Sequence, residues 1–521
     1  MKKLLALILC LSLSLGIFAG CDSENDDPHV PTGDALVMEG QDPDSVGPQK
    51  EEEPQEFSLA YYPDRGMNPL MSNDFTNRVV FSLVYQNLFN LKADYSVEPI
   101  LCSRYKVSSN YRIWTFFVDP AATFSDGTPV TSEDVLATMK TAWVKGYYSG
   151  RFAHVADITM SDEGGVTFWL DTAYENFPQL LDVPILKASE VEAEAPLGSG
   201  PYVVSQSLAG DQLVRNPTWW CGEVEFVVRA KNIPLVPAKD PAQIRDEFEF
   251  RDVGVVLADP CADIYADYRC DHEPWAVDNG VFLYLACNIR YADFLEDNTL
   301  RSMLTYGIDR ETLIDQNFHG YAQAVTLPAD PDSPYYSKSL AARYGYDPSK
   351  FVEFLGRYGK TEEPIRLLVN SDDSVRLRIA QSIAATFTEY GLPMETYECS
   401  TAKFKQEIYN ANYDLYLGIT RLSANMDLSA FFAPYGNLSR NGVSDEITYS
   451  LCKESLANQG NYYNLHKAVA DDGRIIPIAF FGYAVYATRG LVTDLTPARD
   501  NVFAYSLGKT MNDVKTPLDL G

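Results

Sequence analysis

Basic residues are scarce in this chain. The 521 residues include 42 Lys and Arg against 72 Asp and Glu, a formal net charge of -30. A protein that neutralises phosphates needs a basic surface, so nucleic acid is excluded as a partner class. Histidine is scarcer still: His29, His154, His272, His319 and His466 are the whole set. None pairs with another at metal-ligand spacing, and no CxxC or CxxxC pair is present. Local sequence therefore offers no zinc or nickel site, and neither metal nor cofactor is expected. Internal repeats are absent. Catalytic signatures are missing as well. Gly198-Ser199-Gly200 is neither a nucleophile elbow nor a phosphate loop, which would end in Gly-Lys-Ser/Thr. Carboxylate pairs such as Asp372-Asp373 and Asp471-Asp472 are common in so acidic a chain, and no residue set points to the opposed pair of a glycosidase. The chain reads as a binding protein and not as an enzyme.

Cysteine is present without a pattern. Of nine, Cys10 and Cys21 lie at the amino end. Cys102, Cys221, Cys261, Cys270, Cys287, Cys399 and Cys452 remain, an odd number at irregular spacing and so no disulfide framework. Cys261 and Cys270 are near enough to close a small loop; most of the others read as buried thiols.

The amino end carries the strongest local signal. Lys2 and Lys3 precede an apolar run, Leu4 to Phe18, and then Ala19-Gly20-Cys21. Charged start, apolar middle and small residues before a cut are the parts of a secretory leader. The run is short for a permanent membrane helix, which takes about 20 residues. Ile17-Phe18-Ala19-Gly20-Cys21 resembles a bacterial lipoprotein signal, in which Cys21 is lipidated and becomes the mature terminus. The alternative is an ordinary secreted protein cut nearby. From Asp22 to Glu56 the chain is acidic and broken by Pro28, Pro31, Pro43, Pro48 and Pro54, with Lys50 its single basic residue. Such a segment cannot bury enough apolar surface to offset chain entropy, so a disordered tether is expected. A lipid on Cys21 and this spacer would hold a body of two or three domains off a membrane.

Periodicity organises the rest. Phe57 to Tyr62 reads as a strand, Asn77 to Phe89 as a helix and Arg112 to Val118 as a strand. Asp126-Gly127 is a turn, and Thr131-Ser-Glu-Asp134 makes a capping box for the helix that follows. Between 365 and 419 the rhythm is strand, helix, strand, helix, strand, with Ser371 or Ser374 and then Ser400 as caps. That order predicts a parallel sheet covered by helices, with its crevice at the carboxyl ends of the strands. The third strand ends near Ile419-Thr420, so Arg421 to Asp427 should project into a cleft. Two apolar runs, Val281 to Cys287 and Ile475 to Ala487, look like strands by which the chain leaves one domain and returns.

At Trp114 to Val135, with its Phe124-Ser-Asp-Gly-Thr-Pro129 turn and Thr131-Ser-Glu-Asp-Val135 helix start, the chain resembles the extracellular solute-binding proteins of family 5. These are the peptide- and nickel-type receptors of ABC importers. Asn68-Pro69-Leu70, Val84 to Phe89, Gly198 to Tyr202 and Tyr306 to Glu311 are similar to further family elements in the same order. The resemblance implies an α/β, two-lobed periplasmic-binding-protein-like fold of class II type, with an extra subdomain and a two-crossover hinge. The boundaries it implies are a signal peptide over 1–20, a tether over 21–56 and lobe 1 over 57–280, with the subdomain about 81–190. Lobe 2 spans 281–480, and 481–521 returns to lobe 1. It further implies a monomeric receptor on the extracytoplasmic face of the cell membrane that captures an oligopeptide or other small solute for an ABC permease. The alternative is a non-transport adaptor or sensor with the same fold.

Where peptide-binding members place an aspartate that pairs with the ligand's amino terminus, this chain reads Ala424-Asn425-Met426-Asp427-Leu428. Asn425 occupies the anchoring position and supplies only a neutral acceptor, a weaker partner than a carboxylate. Asp427 substitutes if the loop is re-registered. Arg421 either meets a ligand carboxylate or is solvated. Tyr61, Tyr62 and Asp64 either line the facing wall or simply pack.

Overall fold

The structure, a computed structural model, describes residues 56–516 apart from 208–209, 223, 225–227, 260–267, 291–292, 359–362 and 493. The leader, Cys21, the tether and Cys261 lie outside the described residues. Among those described, no helix is long and apolar enough to cross a membrane.

Two long antiparallel strands, His272–Cys287 and Ile475–Thr488, run side by side through the middle of an 11-stranded sheet. They contain both apolar runs picked out above. Their pairing extends from His272 opposite Thr488 to Ala286 opposite Ile475. Val255–Ala258 continues the sheet beside Ala484–Ala487, followed by Leu59–Tyr61 and Asn232–Pro237. On the other side Leu415–Arg421 pairs with Val281–Cys287. The register of the long pair breaks between Val277 and Val281. At this break a Cβ on Gly482 would lie 1.8 Å from the Val277 carbonyl oxygen, so only glycine lets the two backbones approach.

Apolar side chains gather on each side of this crossing. One core holds Leu59, Val80, Phe116, Phe168, Ile233 and Phe503. Another holds Leu283, Ile308, Phe351, Ile379, Phe387 and Leu417. A third joins Leu91 and Tyr95 to Phe282, Tyr284, Tyr416 and Phe431. A separate four-stranded antiparallel sheet is ordered Cys102–Val107, Ile113–Val118, Val166–Leu170 and Val155–Met160.

The 365–421 stretch forms as its periodicity predicts. Ile365–Asn370 pairs in parallel with Met394–Cys399 and with Leu415–Arg421. Helices Ser374–Glu389 and Thr401–Tyr409 connect them. The caps differ from expectation. Asp373, not Ser371 or Ser374, accepts from the Arg376 amide at 2.8 Å, because a carboxylate both caps and complements the positive end of a helix. Ser400 sits at the second cap position but leaves capping to Asp372, which accepts from the Thr401 amide at 2.8 Å. The Thr131–Asp134 box forms in full: the Thr131 amide donates to Asp134 at 2.8 Å, and the Asp134 amide to the Thr131 hydroxyl at 3.4 Å.

One helix is shorter than its periodicity. The expected Asn77–Phe89 helix runs Phe75–Val84, and Phe89–Leu91 is a strand. The cause is tertiary. The Val84 carbonyl accepts from the Gly200 amide at 2.9 Å, and Gly198 and Gly200 press so close to Val84 that neither has room for a Cβ. Those glycines end the helix from outside it. Cys102, Cys287, Cys399 and Cys452 are buried free thiols.

Candidate ligand-binding cavity

A cavity of about 790 Å³ opens at the carboxyl end of strand Leu415–Arg421. Its walls come from Tyr147 to Leu180 on one side and Thr420 to Tyr449 on the other, with Arg499 from the C-terminal return. Arg421, Asn425 and Asp427 all line it. The strand ladder carries Arg421 to the cavity, and the turn beyond sets Asn425 and Asp427 in its wall.

Arg421 is held by protein groups. Its Nε donates to the Asn279 carbonyl at 2.7 Å, its Nη2 pairs with Asp500 at 3.1 Å, and its Nη1 meets the Tyr147 hydroxyl. Asp500 also pairs with Arg151 Nη2 at 2.7 Å and accepts from the Tyr147 hydroxyl at 2.8 Å. Arg151 in turn reaches Asp182. Burial alone would push the Asp500 carboxyl up, but the guanidiniums of Arg421, Arg78 and Arg151 hold it far below the usual carboxylate range. Asp182, with burial as its leading influence, is raised.

At the other end Asp427 is equally engaged. It accepts from the Ser429 amide at 2.9 Å and the Ser429 hydroxyl at 2.7 Å. Its second oxygen lies 3.2 Å from His154 Nε2, while His154 Nδ1 faces Asp171 at 3.3 Å. Burial opposes a charge on each partner; contact with the other outweighs it, lowering Asp427 and raising His154. Asn425 is only 2% exposed. Its side-chain oxygen accepts from the Asp427 amide at 3.4 Å, and its carbonyl from the Tyr462 hydroxyl. The asparagine thus shapes the turn, in which Met426 has φ +52°.

Tyr61, Tyr62 and Asp64 do not join this cavity. The Tyr61 hydroxyl donates to Asp211 at 2.7 Å, and burial pushes its pKa up to about 12. Tyr62 lies under the Arg65 guanidinium at 3.6 Å and lines a separate cavity of about 300 Å³. Asp64 is exposed in the turn Pro63–Arg65. The residues that sequence reasoning did not single out are Tyr147, Arg151, His154, Asp182, Arg499 and Asp500. No local signal marked them, since the Arg499-Asp500 dipeptide recurs at Arg245-Asp246 and Arg251-Asp252. Among the described residues, no group of three or more His, Cys, Asp or Glu side chains could hold a metal ion.

A doubly crossed sheet, cores on either side of the crossing and a deep cavity at the strand ends define a periplasmic-type binding protein. Residues 96–442 match the family described as bacterial extracellular solute-binding proteins, family 5 Middle, and the chain belongs to that family. It is 24% identical over 379 residues to the nickel-binding periplasmic protein of Escherichia coli, covering 65% of this chain and 70% of that one. It is 21% identical over 428 residues to an oligopeptide-binding protein of Bacillus subtilis, covering 75% and 77%. Its fold is similar to that of the ABC transporter substrate-binding protein CtaP of Listeria monocytogenes. There the TM-score is 0.71 at 18% identity, over 86% of this chain and 98% of the other.

Proposed function

We propose that this binding protein takes an oligopeptide or related small solute into the cavity between the 147–180 and 420–449 walls and presents it to an ABC permease. The cavity carries the reading. At about 790 Å³ it falls within the roughly 300–1,000 Å³ of sites that engulf small ligands. Its charged groups are held by protein partners, Arg421 by Asp500 and Asp427 by His154 and Ser429. The strands His272–Cys287 and Ile475–Thr488 would serve as the hinge between lobe 1 (57–280 and 481–521) and lobe 2 (281–480). A ligand touching both walls would favour the closed state by the contacts that only closure makes. Lipidation at Cys21 and the acidic tether would hold the receptor, as a monomer, off the extracytoplasmic face of the membrane.

The test is calorimetry and thermal shift of the purified chain against peptide, sugar and metal-chelate panels. Saturable binding of a short peptide is expected, with compaction in small-angle scattering. A second reading, capture of a metal chelate, draws on His154 in the cavity wall. Saturable binding of a nickel–histidine complex with no peptide response would establish it and remove the first.

A further inference from the structure

Resting on the peptide reading and its hinge, we propose that Asp330 is a proton-operated latch beside the hinge: neutral, it lets the two lobes pack together, and ionised, it favours their parting and loosens the hold on the ligand. A second cavity, of about 210 Å³, lies at the break in the long strand pair. It is lined by Tyr95 and Arg499 from the lobe 1 side, Asp278 from a crossing strand, and Asp330 and Asp332 from the lobe 2 side. Asp330 is 3% exposed. Its Oδ1 accepts from the Asp332 amide at 2.8 Å, and no described residue donates to its Oδ2. A buried carboxylate with a single donor is costly to ionise. Burial first, and then the charge of Asp278, push its pKa up to about 7.

The groups facing Asp330 leave it short of positive charge. Arg499 is shared: its Nε lies 3.5 Å from Asp278, and its Nη1 donates to the Leu422 carbonyl at 2.8 Å. Asp278 also accepts from the Tyr95 hydroxyl at 2.5 Å and the Gly280 amide at 2.7 Å. Asp332 adds a further negative charge and is held by the Gln323 amide group at 2.8 Å. Lys92 lines the cavity but pairs with Glu98 at 3.0 Å. Tyr336, the other phenol near Asp330, is engaged by Thr326. One guanidinium thus meets three carboxylates. Position couples that imbalance to closure. Asp278 stands inside the register break between Val277 and Val281. Asp330 opens a turn in which the Ser333 amide and hydroxyl donate to its carbonyl at 3.0 Å and 2.6 Å, so its carboxylate gains water when the segment as a whole moves off Tyr95 and Arg499. A hydrated aspartate titrates near 4, so the packed arrangement is favoured in full below about pH 4 and loses that advantage as pH rises to about 7.

The experiment measures retention of a mixture of tri- to pentapeptides free of Asp, Glu and His on the full chain, by equilibrium dialysis at about pH 5 and about pH 6.5 at one ionic strength. This window lies below the pH at which His154 loses its charge. The unaltered protein should bind about tenfold more weakly at the higher pH, the scale set by a proton bound in one state and not the other. Asp330→Asn, which fixes the neutral form, should bind equally at both, at the level the unaltered protein shows in acid. Asp278→Asn, which removes the repelling charge and frees Arg499 for Asp330, should show a smaller fall; it decides the matter if the Asp330 variant fails to fold by circular dichroism. Equal retention at both pH values by the unaltered protein overturns the latch and leaves the peptide reading standing. An undiminished fall in either variant overturns the latch in the same way. Retention at neither pH overturns the peptide reading, and small-angle scattering then decides the latch alone. A radius of gyration that grows with pH in the unaltered chain but not in Asp330→Asn supports it, and the same response in both overturns it.

Discussion

The two ends of the cavity use different chemistry for the same task. At one end Arg421, Arg151 and Tyr147 close on Asp500. At the other, His154 meets Asp427 and Asp171. Guanidiniums stay charged at any physiological pH, whereas an imidazole changes charge within it. The arginine end is therefore a fixed ionic scaffold, and the histidine end is a contact that pH can weaken. Both join segments far apart in sequence, so each helps hold the walls in register.

Removing the fixed end should cost most. Asp500→Ala would leave buried guanidiniums without their shared counter-ion, a loss of about 3–5 kcal/mol. A denaturant titration showing less than about 1 kcal/mol would mean that water or a neighbouring carboxylate replaces Asp500, and the contrast between the ends would collapse.

A histidine away from both ends isolates the effect of acid. His466 is fully buried, and burial depresses its pKa to about 3. The unfolded chain binds that proton near 6.5, so the stability owed to neutral His466 is complete above about pH 6.5 and drains away as pH falls toward 3. His466→Leu should flatten this acid limb by a few kcal/mol at pH 4 in urea melts. An unchanged limb would shift the acid sensitivity onto the carboxylates.

Asp427→Asn should cost less, about 1–3 kcal/mol, since the Ser429 donors keep an acceptor and only the ionic partner of His154 is lost. The smallest effect is the pH response of that pair. His154 has a raised pKa, so its contribution is full below about pH 6.5 and disappears as pH rises through the folded value. Asp427 is lowered, so its contribution is lost only as pH falls below the ordinary carboxylate value of about 4. Thermal melts at stepped pH should therefore show a small loss on the alkaline side that His154→Gln abolishes. Persistence of that loss in the variant would assign it to another group.

Much of the architecture was legible because its causes are local. The Thr131–Asp134 box spans three residues, and the parallel unit from 365 to 421 announces itself by switching between two hydrophobic periods. The crossing strands showed as continuous apolar runs because the sheet is covered where they pass. The loop after Arg421 was placed in a cleft by the same logic. Tyr61 and Tyr62 show the limit: a tyrosine at a strand end packs or lines a site, and nothing local separates the two.

The sequence by itself determined the family, through motifs it shares with it; it also determined the double crossing and the strand end that delivers Arg421, Asn425 and Asp427 to a cavity, since helix and strand periods and caps act over a few neighbours. Only the tertiary structure decided which charges meet. Arg421 and Asp500 are 79 residues apart, His154 and Asp427 273, and Arg151 and Asp500 349. Coulomb energy and desolvation depend on distance and burial in space, and neither is encoded by spacing along the chain.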